Sequence, residues 1–313
     1  DRSIKKSNAD RQQPVNVLYQ ALSEYSKSST NVSIRSICGI LGISRSGYSD
    51  WSNRKKSKQK QHKEKIQANI KEIYDKSKKI YGAPKITHIL NQKGFQVSQK
   101  TVSNYMQEMG IKAWYRKHYT RTTFSVDFSD RLKNLLHRQF NPERPDAVWC
   151  TDITYIWTYQ DGFVYLTSIM DLYSRKIIAW VLTRDMTAES VLEVIKIAKK
   201  RRKVDNPLII HSDRGRQFTS SLYKELTEKM TKSYSEKGTP WDNACIESFH
   251  SLIKREWLNK YKIWDYDQAK RLIFEYIETF YNTVRIHGHC EYKSPNQYEQ
   301  AYYEKKLMQC TGS

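Results

Sequence analysis

AVWCTDITYIWT (residues 147–158), GFVYLTSIMDLY (162–173) and KIIAWVLT (176–183) are three consecutive runs rich in β-branched and aromatic residues. Short turns at Gln160-Asp161-Gly162 and Ser174-Arg175 separate them, which predicts an antiparallel meander. Working outward, AESVLEVIKIAKKRRK (188–203) has helical spacing and PLIIHSD (207–213) reads as a short apolar strand. Further helices are expected near 219–231, 242–258 and 266–283.

Three strands, a helix, a strand and then helices match the order of an RNase H-like α/β domain. That order puts three acids where strand ends and a helix converge. Asp152 lies in the first strand, Asp213 ends the fourth, and Glu247 lies in the helix after next, with separations of 213 − 152 = 61 and 247 − 213 = 34 residues. An Asp at a strand end is ordinarily a turn or cap residue, and a helical Glu is ordinarily solvated. Here Asp152 sits inside an otherwise apolar strand between Trp149 and Ile156, where an unpaired carboxylate is costly. On the Glu247 helix, Asn243 and Ser251 fall at i−4 and i+4, with Lys254 two turns on. Phosphoryl transfer needs charge neutralisation and an activated oxygen nucleophile. Two magnesium ions about 4 Å apart supply both when carboxylates hold them. The histidines His211, His250 and His287 are secondary candidates.

Upstream, the chain changes character. Of 54 Lys and Arg against 33 Asp and Glu, residues 1–140 hold 28 and 10, a balance of +18, and residues 141–313 hold 26 and 23, a balance of +3. A basic binding segment thus precedes a nearly neutral one, which points to a polyanionic partner, although a solubilising basic face is the bland alternative. VNVLYQALSEYS (15–26) spaces Leu18, Leu22 and Tyr25 for a short amphipathic helix. SIRSICGILGISRSGYSDW (33–51) reads as helix, Gly-Ile break and second helix capped by Ser44, a helix-turn-helix pattern. Ile66, Ile70 and Ile73 give the Lys-rich stretch 54–79 a single apolar stripe. APKITHILNQKG (83–94) and SQKTVSNYMQEMG (98–110), the latter capped by Ser98, form a second helix-turn-helix unit. Recognition helices at 44–52 and 98–109 offer Arg45, Ser46, Lys100, Thr101 and Asn104 to DNA. From 113 to 146, Trp114, Tyr115, Arg116, Lys117, His118 and Tyr119 interleave aromatics with cations, a pattern suited to backbone contact and base stacking.

The expected organisation is multidomain. Residues 1–30 hold an amphipathic, oligomerising helix, 31–112 two α-helical helix-turn-helix units, and 113–142 a basic linker. Residues 143–300 form the α/β RNase H-like catalytic domain, and 301–313 a tail. Five scattered cysteines (Cys38, Cys150, Cys245, Cys290 and Cys310) form no C-x-x-C pair, no apolar run approaches a membrane span, and no signal peptide opens the chain. A reducing cytoplasm fits, with the protein held at the nucleoid through DNA and not at a membrane. The start at Asp1 fits a fragment or a processed product.

WCTDITYIW (149–157), MDLYSRKIIAW (170–180), HSDRGRQFTS (211–220), YSEKGTPWDNACIESFHSLIKRE (234–256) and YNTVRIHGHCEYKSPNQYE (281–299) resemble the integrase-type DDE transposases of bacterial insertion sequences, the family with orfA and orfB reading frames. The resemblance extends from about residue 33 to 300. It implies that Asp152, Asp213 and Glu247 are the catalytic triad, with two Mg2+ ions as cofactor and Mn2+ as a substitute. It further implies binding of double-stranded DNA at terminal inverted repeats and in the target, strand cleavage and strand transfer through a same-strand end-to-end joint, and a homodimer or higher oligomer on paired ends. The sequence departs from the family at Arg214, Phe218, Trp241 and Gly288-His289-Cys290-Glu291. Arg214, Asn243 and Lys254 are further expected DNA contacts. A retroviral-type integrase would share the acids but usually carries a His/Cys zinc module, which has no counterpart here. A ribonuclease H or junction nuclease would cut without joining, and a transcription regulator would account for the basic half alone.

Overall fold

The computed structural model describes residues 14–28, 33–54, 57–114, 132–203, 208–236 and 239–311. The chain divides into two compact units, Asp1–Ala68 and Asn69–Ser313.

In the first unit, α1 (Val15–Ser28), α2 (Ile34–Leu41) and α3 (Arg45–Asn53) share a small core of Tyr19, Leu22, Cys38 and Tyr48, with Ile37, Ile43 and Trp51 packed against it. The amphipathic α1 therefore packs against the helix-turn-helix; Tyr25, expected on its apolar stripe, is exposed and Tyr19 is buried instead. Gly42 ends α2 at φ +63°, a left-handed backbone that glycine adopts without strain. Ser44 caps α3 by accepting from the Gly47 amide at 3.2 Å. α4 (Lys58–Lys76) crosses the division, and its Ile66, Ile70 and Ile73 are all buried.

The second unit continues with α5 (Ala83–Gln92) and α6 (Gln99–Glu108), a helical pair that buries Ile86, Leu90, Val102 and Met106. Ser98 caps α6 through the Thr101 amide at 3.1 Å. The rest of this unit is built on a five-stranded sheet in the order β3-β2-β1-β4-β5. β1 (Val148–Thr158), β2 (Gly162–Asp171) and β3 (Ile177–Thr183) form the expected antiparallel meander, and β4 (Ile209–Ser212) joins β1 in parallel. α7 (Ala188–Arg201) covers one face, burying Val191, Val194, Ile195 and Ala198 against Trp149, Ile169, Ala179 and Ile210. Each fully buried large side chain contributes roughly 1.5–3 kcal/mol. The mixed sheet with this strand order is the RNase H-like arrangement.

Three expected elements differ. The helix expected over 219–231 is instead α8 (Ser221–Leu226) followed by a fifth strand, β5 (Thr231–Tyr234), parallel to β4. Four residues are too few to display a period, and Lys232 disguises an edge strand as polar surface. The helix expected over 266–283 is α10 (Tyr266–Phe274) running into a π-helical segment (Glu275–Tyr281) that buries Tyr276, Ile277, Phe280 and Tyr281. Residues 301–311, expected as part of a tail, belong to α11 (Pro295–Thr311), whose Glu299 is buried and bonded to Arg202 at 2.8 Å.

α9 (Ala244–Glu256), the helix that carries Glu247, is fixed at its far end. Glu256 accepts a bidentate pair from Arg285 (2.6 and 2.7 Å) and a bond from the Tyr276 hydroxyl at 2.8 Å, with all three side chains buried. Removing one member leaves the other charge buried and unpaired. Arg285→Met is therefore expected to destabilise the protein by about 3–5 kcal/mol, read as a lower urea midpoint. A loss under about 1 kcal/mol would show that this pair does not hold α9.

Candidate active site

β1 and β4 pair only over Val148↔Ile209, Trp149↔Ile210 and Cys150↔His211, an offset of 209 − 148 = 61 residues. Asp152 and Asp213 share that offset. They continue one register two residues past the last pair, where the two strands part. Neighbouring parallel strands run about 4.8 Å apart, so both acids emerge on adjacent chains at the mouth of the opening. Glu247 enters from the first turn of α9, which packs on β1.

Asn243, the residue before α9, is buried, and its Nδ2 donates to the Thr151 carbonyl at 3.2 Å. This bond ties the start of the Glu247 helix to the backbone beside Asp152. The preceding turn is locked by Asp242, which accepts from Arg138 (2.7 Å), Asn134 (3.0 Å), Thr239 (2.9 Å) and the Glu236 amide (2.9 Å). These bonds hold the Asp242 carboxyl below the usual carboxylate range despite its burial.

The acids feel one another. Burial and the nearby Asp152 push Asp213 up to about 6, against the pull of the Gly215 amide donated to Asp213 Oδ1 at 2.9 Å. Partial desolvation, then Asp152 and Asp213, push Glu247 up to about 7. Glu247 is exposed to solvent, which screens that shift. Two nitrogen-bearing side chains lie near Asp152. His250 Nδ1 lies 3.3 Å from Asp152 Oδ2, and its Nε2 shares a hydrogen bond with Ser168 Oγ at 2.7 Å. Lys254 donates to Thr154 Oγ1 at 2.7 Å and lies over the Tyr155 ring at 4.6 Å; burial lowers it to about 8, while Asp152 pulls it back up.

Three hard-oxygen carboxylates that repel one another are a donor set suited to a divalent cation, which converts the repulsion into attraction. Among the described residues no three His, Cys, Asp or Glu side chains stand at ligating spacing, so the acids are electrostatic neighbours and not a preformed cage.

The other expected site residues separate into groups. Arg45, Lys100 and Asn104 are exposed on their helices, and Lys100 and Asn104 lie one turn apart. The Ser46 hydroxyl bonds Ser44 Oγ at 2.8 Å and the Thr101 hydroxyl bonds Ser98 Oγ at 2.9 Å, so both take part in N-caps. Arg214 donates to the Ser235 and Leu132 carbonyls at 2.8 and 3.0 Å, which fixes the loop after Asp213. Asn243 is a buried tether, as described above, and not a surface contact. Arg116 and Lys117 lie outside the described residues. Of the histidines, His211 is enclosed by Ser233 and Ser235 and held down at about 4 by burial, and His287 sits beside Arg285 and is held down at about 2; only His250 reaches the acids. Ser168 was missed by sequence reasoning. A hairpin centred on Gln160 carries the signal, because it pairs positions summing to 320 and so sets Ser168 opposite Asp152.

Comparison with known proteins agrees with this architecture. The Integrase core domain family matches residues 142–240 and, in a second form, 228–295, and an HTH-like domain matches 61–119. The transposase for insertion sequence element IS904 of Lactococcus lactis is 36% identical over 254 residues, which span 79% of this chain and 98% of that protein. The chain belongs to the insertion-sequence transposases with an integrase core. Transposase InsF of insertion sequence IS3A from Escherichia coli is 31% identical over 277 residues, 87% of this chain and 96% of that one. The HTLV-2 integrase catalytic core domain in complex with magnesium matches 50% of this chain and 98% of its own, at 18% identity and a TM-score of 0.39. The HTH-like match contains α5 and α6, and α2 and α3 fall outside it. No helix among the described residues is long and apolar enough to cross a membrane.

The raised acids set the pH behaviour of this transposase. Asp213 binds its proton more tightly folded than unfolded, so without metal it favours folding at low pH and loses that contribution as pH rises through about 6. A divalent cation held by these carboxylates would need them deprotonated, so its binding is expected to strengthen over the same interval. Asp213→Asn is expected to raise the metal-free melting temperature at pH 7.5 by a few degrees and to abolish the upward shift that Mg2+ gives the parent chain. An undiminished Mg2+ shift in the variant would remove Asp213 from the ligand set. For the parent, the Mg2+ concentration giving half the shift is expected to rise as pH falls from 8 to 6.

Proposed function

We propose that this transposase binds the terminal inverted repeats of its insertion sequence and cuts and joins DNA strands with Asp152, Asp213 and Glu247 as metal ligands. The observation that carries the proposal is the shared 61-residue offset of the β1–β4 pairing and the two aspartates, which brings two repelling acids to one opening beside Glu247. In a chain of this family, that opening is where a phosphodiester is expected to react.

When bound, a pair of Mg2+ ions, or Mn2+ in their place, supplies an activated oxygen nucleophile and neutralises charge on the leaving oxygen. The protein's own groups do the rest. The three carboxylates hold the cations, with the Gly215 amide orienting Asp213. His250, braced by Ser168, orients Asp152. Lys254, anchored on Thr154, places positive charge beside the acids where a phosphate enters. Hydrolysis of one phosphodiester frees a 3′-hydroxyl. That oxygen then attacks a second phosphorus in line as the P–O3′ bond breaks, and no protein group becomes covalently attached. On α3 and α6, the exposed Arg45, Lys100 and Asn104 are suited to reading DNA, and pairing two ends calls for at least a dimer on DNA.

The test is Asp152→Asn in an assay on duplex oligonucleotides carrying the element's ends. End binding is expected to survive, while release of the 3′-hydroxyl and formation of joined product fall to background. Joined product from the variant would sink the assignment. Cleavage by the parent without any joined product would mark it as a nuclease.

A further inference from the structure

Beyond the acids, β1 and β2 continue into a surface that no step above uses. Trp157 and Phe163 are directly cross-strand and meet edge to face, with centroids 4.9 Å apart, yet they are 55% and 47% exposed. Phe163 also meets Tyr155 edge to face at 5.2 Å, and Tyr155 carries the Lys254 ammonium at 4.6 Å. The hairpin tip adds Tyr159 stacked on Trp264 at 6.2 Å, the two 58% and 61% exposed. Backbone bonds fix that tip: the Tyr159 amide donates to the Ile263 carbonyl (3.0 Å) and the Gln160 amide to the Trp264 carbonyl (2.8 Å). Lys254, bonded to Thr154 two residues along β1 from Asp152, thus joins this aromatic row at Tyr155, from which contacts lead to Phe163 and Trp157.

Exposed aromatic faces in a row are costly to leave in water, and an isolated apolar function does not call for a cation within the row. Aromatic faces beside a cation suit nucleobases, whose π-faces stack while the phosphate lies against positive charge. The paired strands of a duplex hide those faces. Only an unpaired stretch can present them.

We propose that the Tyr155–Phe163–Trp157 shelf stacks unpaired nucleotides of the DNA strand next to the phosphodiester held at the acids, with Lys254 against their backbone. The proposal rests on the DNA-joining reading above and adds to it a local opening of the duplex beside the reacting bond. The rigid hairpin gives the separated strand a fixed platform.

The experiment uses the full chain and two fluorescein-labelled probes, a twelve-residue oligothymidylate and a fully paired duplex carrying the element's end, followed by anisotropy. Trp157→Ala and Phe163→Ala are each expected to weaken oligothymidylate binding about tenfold, with duplex affinity held within about twofold and Trp157→Phe restoring binding. Joining is expected to fall on paired ends and to recover on ends with mismatched terminal pairs, which need no opening. Unchanged oligothymidylate affinity in both alanine variants overturns the shelf. If their sedimentation instead shows a smaller oligomer than the parent, the surface is an interface between copies, which also overturns it. Parent protein that binds neither probe refutes the DNA reading itself, whereas parent binding of the duplex with unaffected alanine variants refutes the shelf alone.

Discussion

The short parallel pairing of β1 with β4 is the constraint on which the rest of the site depends. It spans three residue pairs and then opens, and it is anchored where Trp149 is buried and its indole donates to Asp146 at 2.8 Å. Asp146 in turn donates its amide to Asp171 at 2.7 Å, and Asp171 receives the Ser174 amide and hydroxyl at the β2–β3 turn. Burial pushes Asp171 up to about 6 against the pull of these bonds. Polar groups at the base of the sheet are thus paired with one another, and the sheet is closed there. At the opposite end the strands separate, and the groups presented are acids that repel. One sheet thus has an end where polar groups are paired and an end where acids meet.

Much of this was legible in the sequence because it depends on local rules. The meander follows from three apolar runs and two short turns. Ser44 and Ser98 cap their helices as their positions imply. The acids lay in plain view at residues 152, 213 and 247, although each alone is commonplace. What was hidden depends on long-range contact. β5 is an edge strand whose partner, β4, comes from the preceding strand segment, and its four residues are too short to carry a pattern of their own. The π-helical segment 275–281 buries four aromatic or aliphatic residues with helical spacing, so a continuous α-helix was the natural reading. Asn243 and Arg214 are polar residues beside the acids, and sequence alone does not distinguish a side chain turned toward DNA from one turned toward a backbone carbonyl. The structure turns both inward.

These inward turns also explain how a repulsive site is tolerated. Asp152 is paired opposite Ser168 within the sheet and Asp213 directly follows β4, so one sheet sets both positions. Glu247 alone arrives on a helix, and that helix is held at both ends: Asn243 ties its start to β1, and the Arg285–Glu256–Tyr276 group ties its end to the segment after α10. Neither tie involves the carboxylates of Asp152, Asp213 or Glu247. Electrostatic repulsion at the acids is therefore borne by hydrogen bonds some distance away.

The same logic accounts for the free edge of β1. Among the described residues no strand pairs with β1 beyond Cys150 on the side away from β2, and an unpaired edge invites adventitious β-pairing. Here the edge is covered by side chains. Asn243 takes the Thr151 carbonyl, and Lys254 crosses to Thr154 and Tyr155. Covering it with a strand would have buried the acids and closed the opening. Covering it with one helix leaves Asp152 partly accessible, and it places the two residues that guard the edge beside the acids. Protection of the sheet and access to the acids are thus met by the same helix, which constrains α9 more tightly than its exposure alone would suggest.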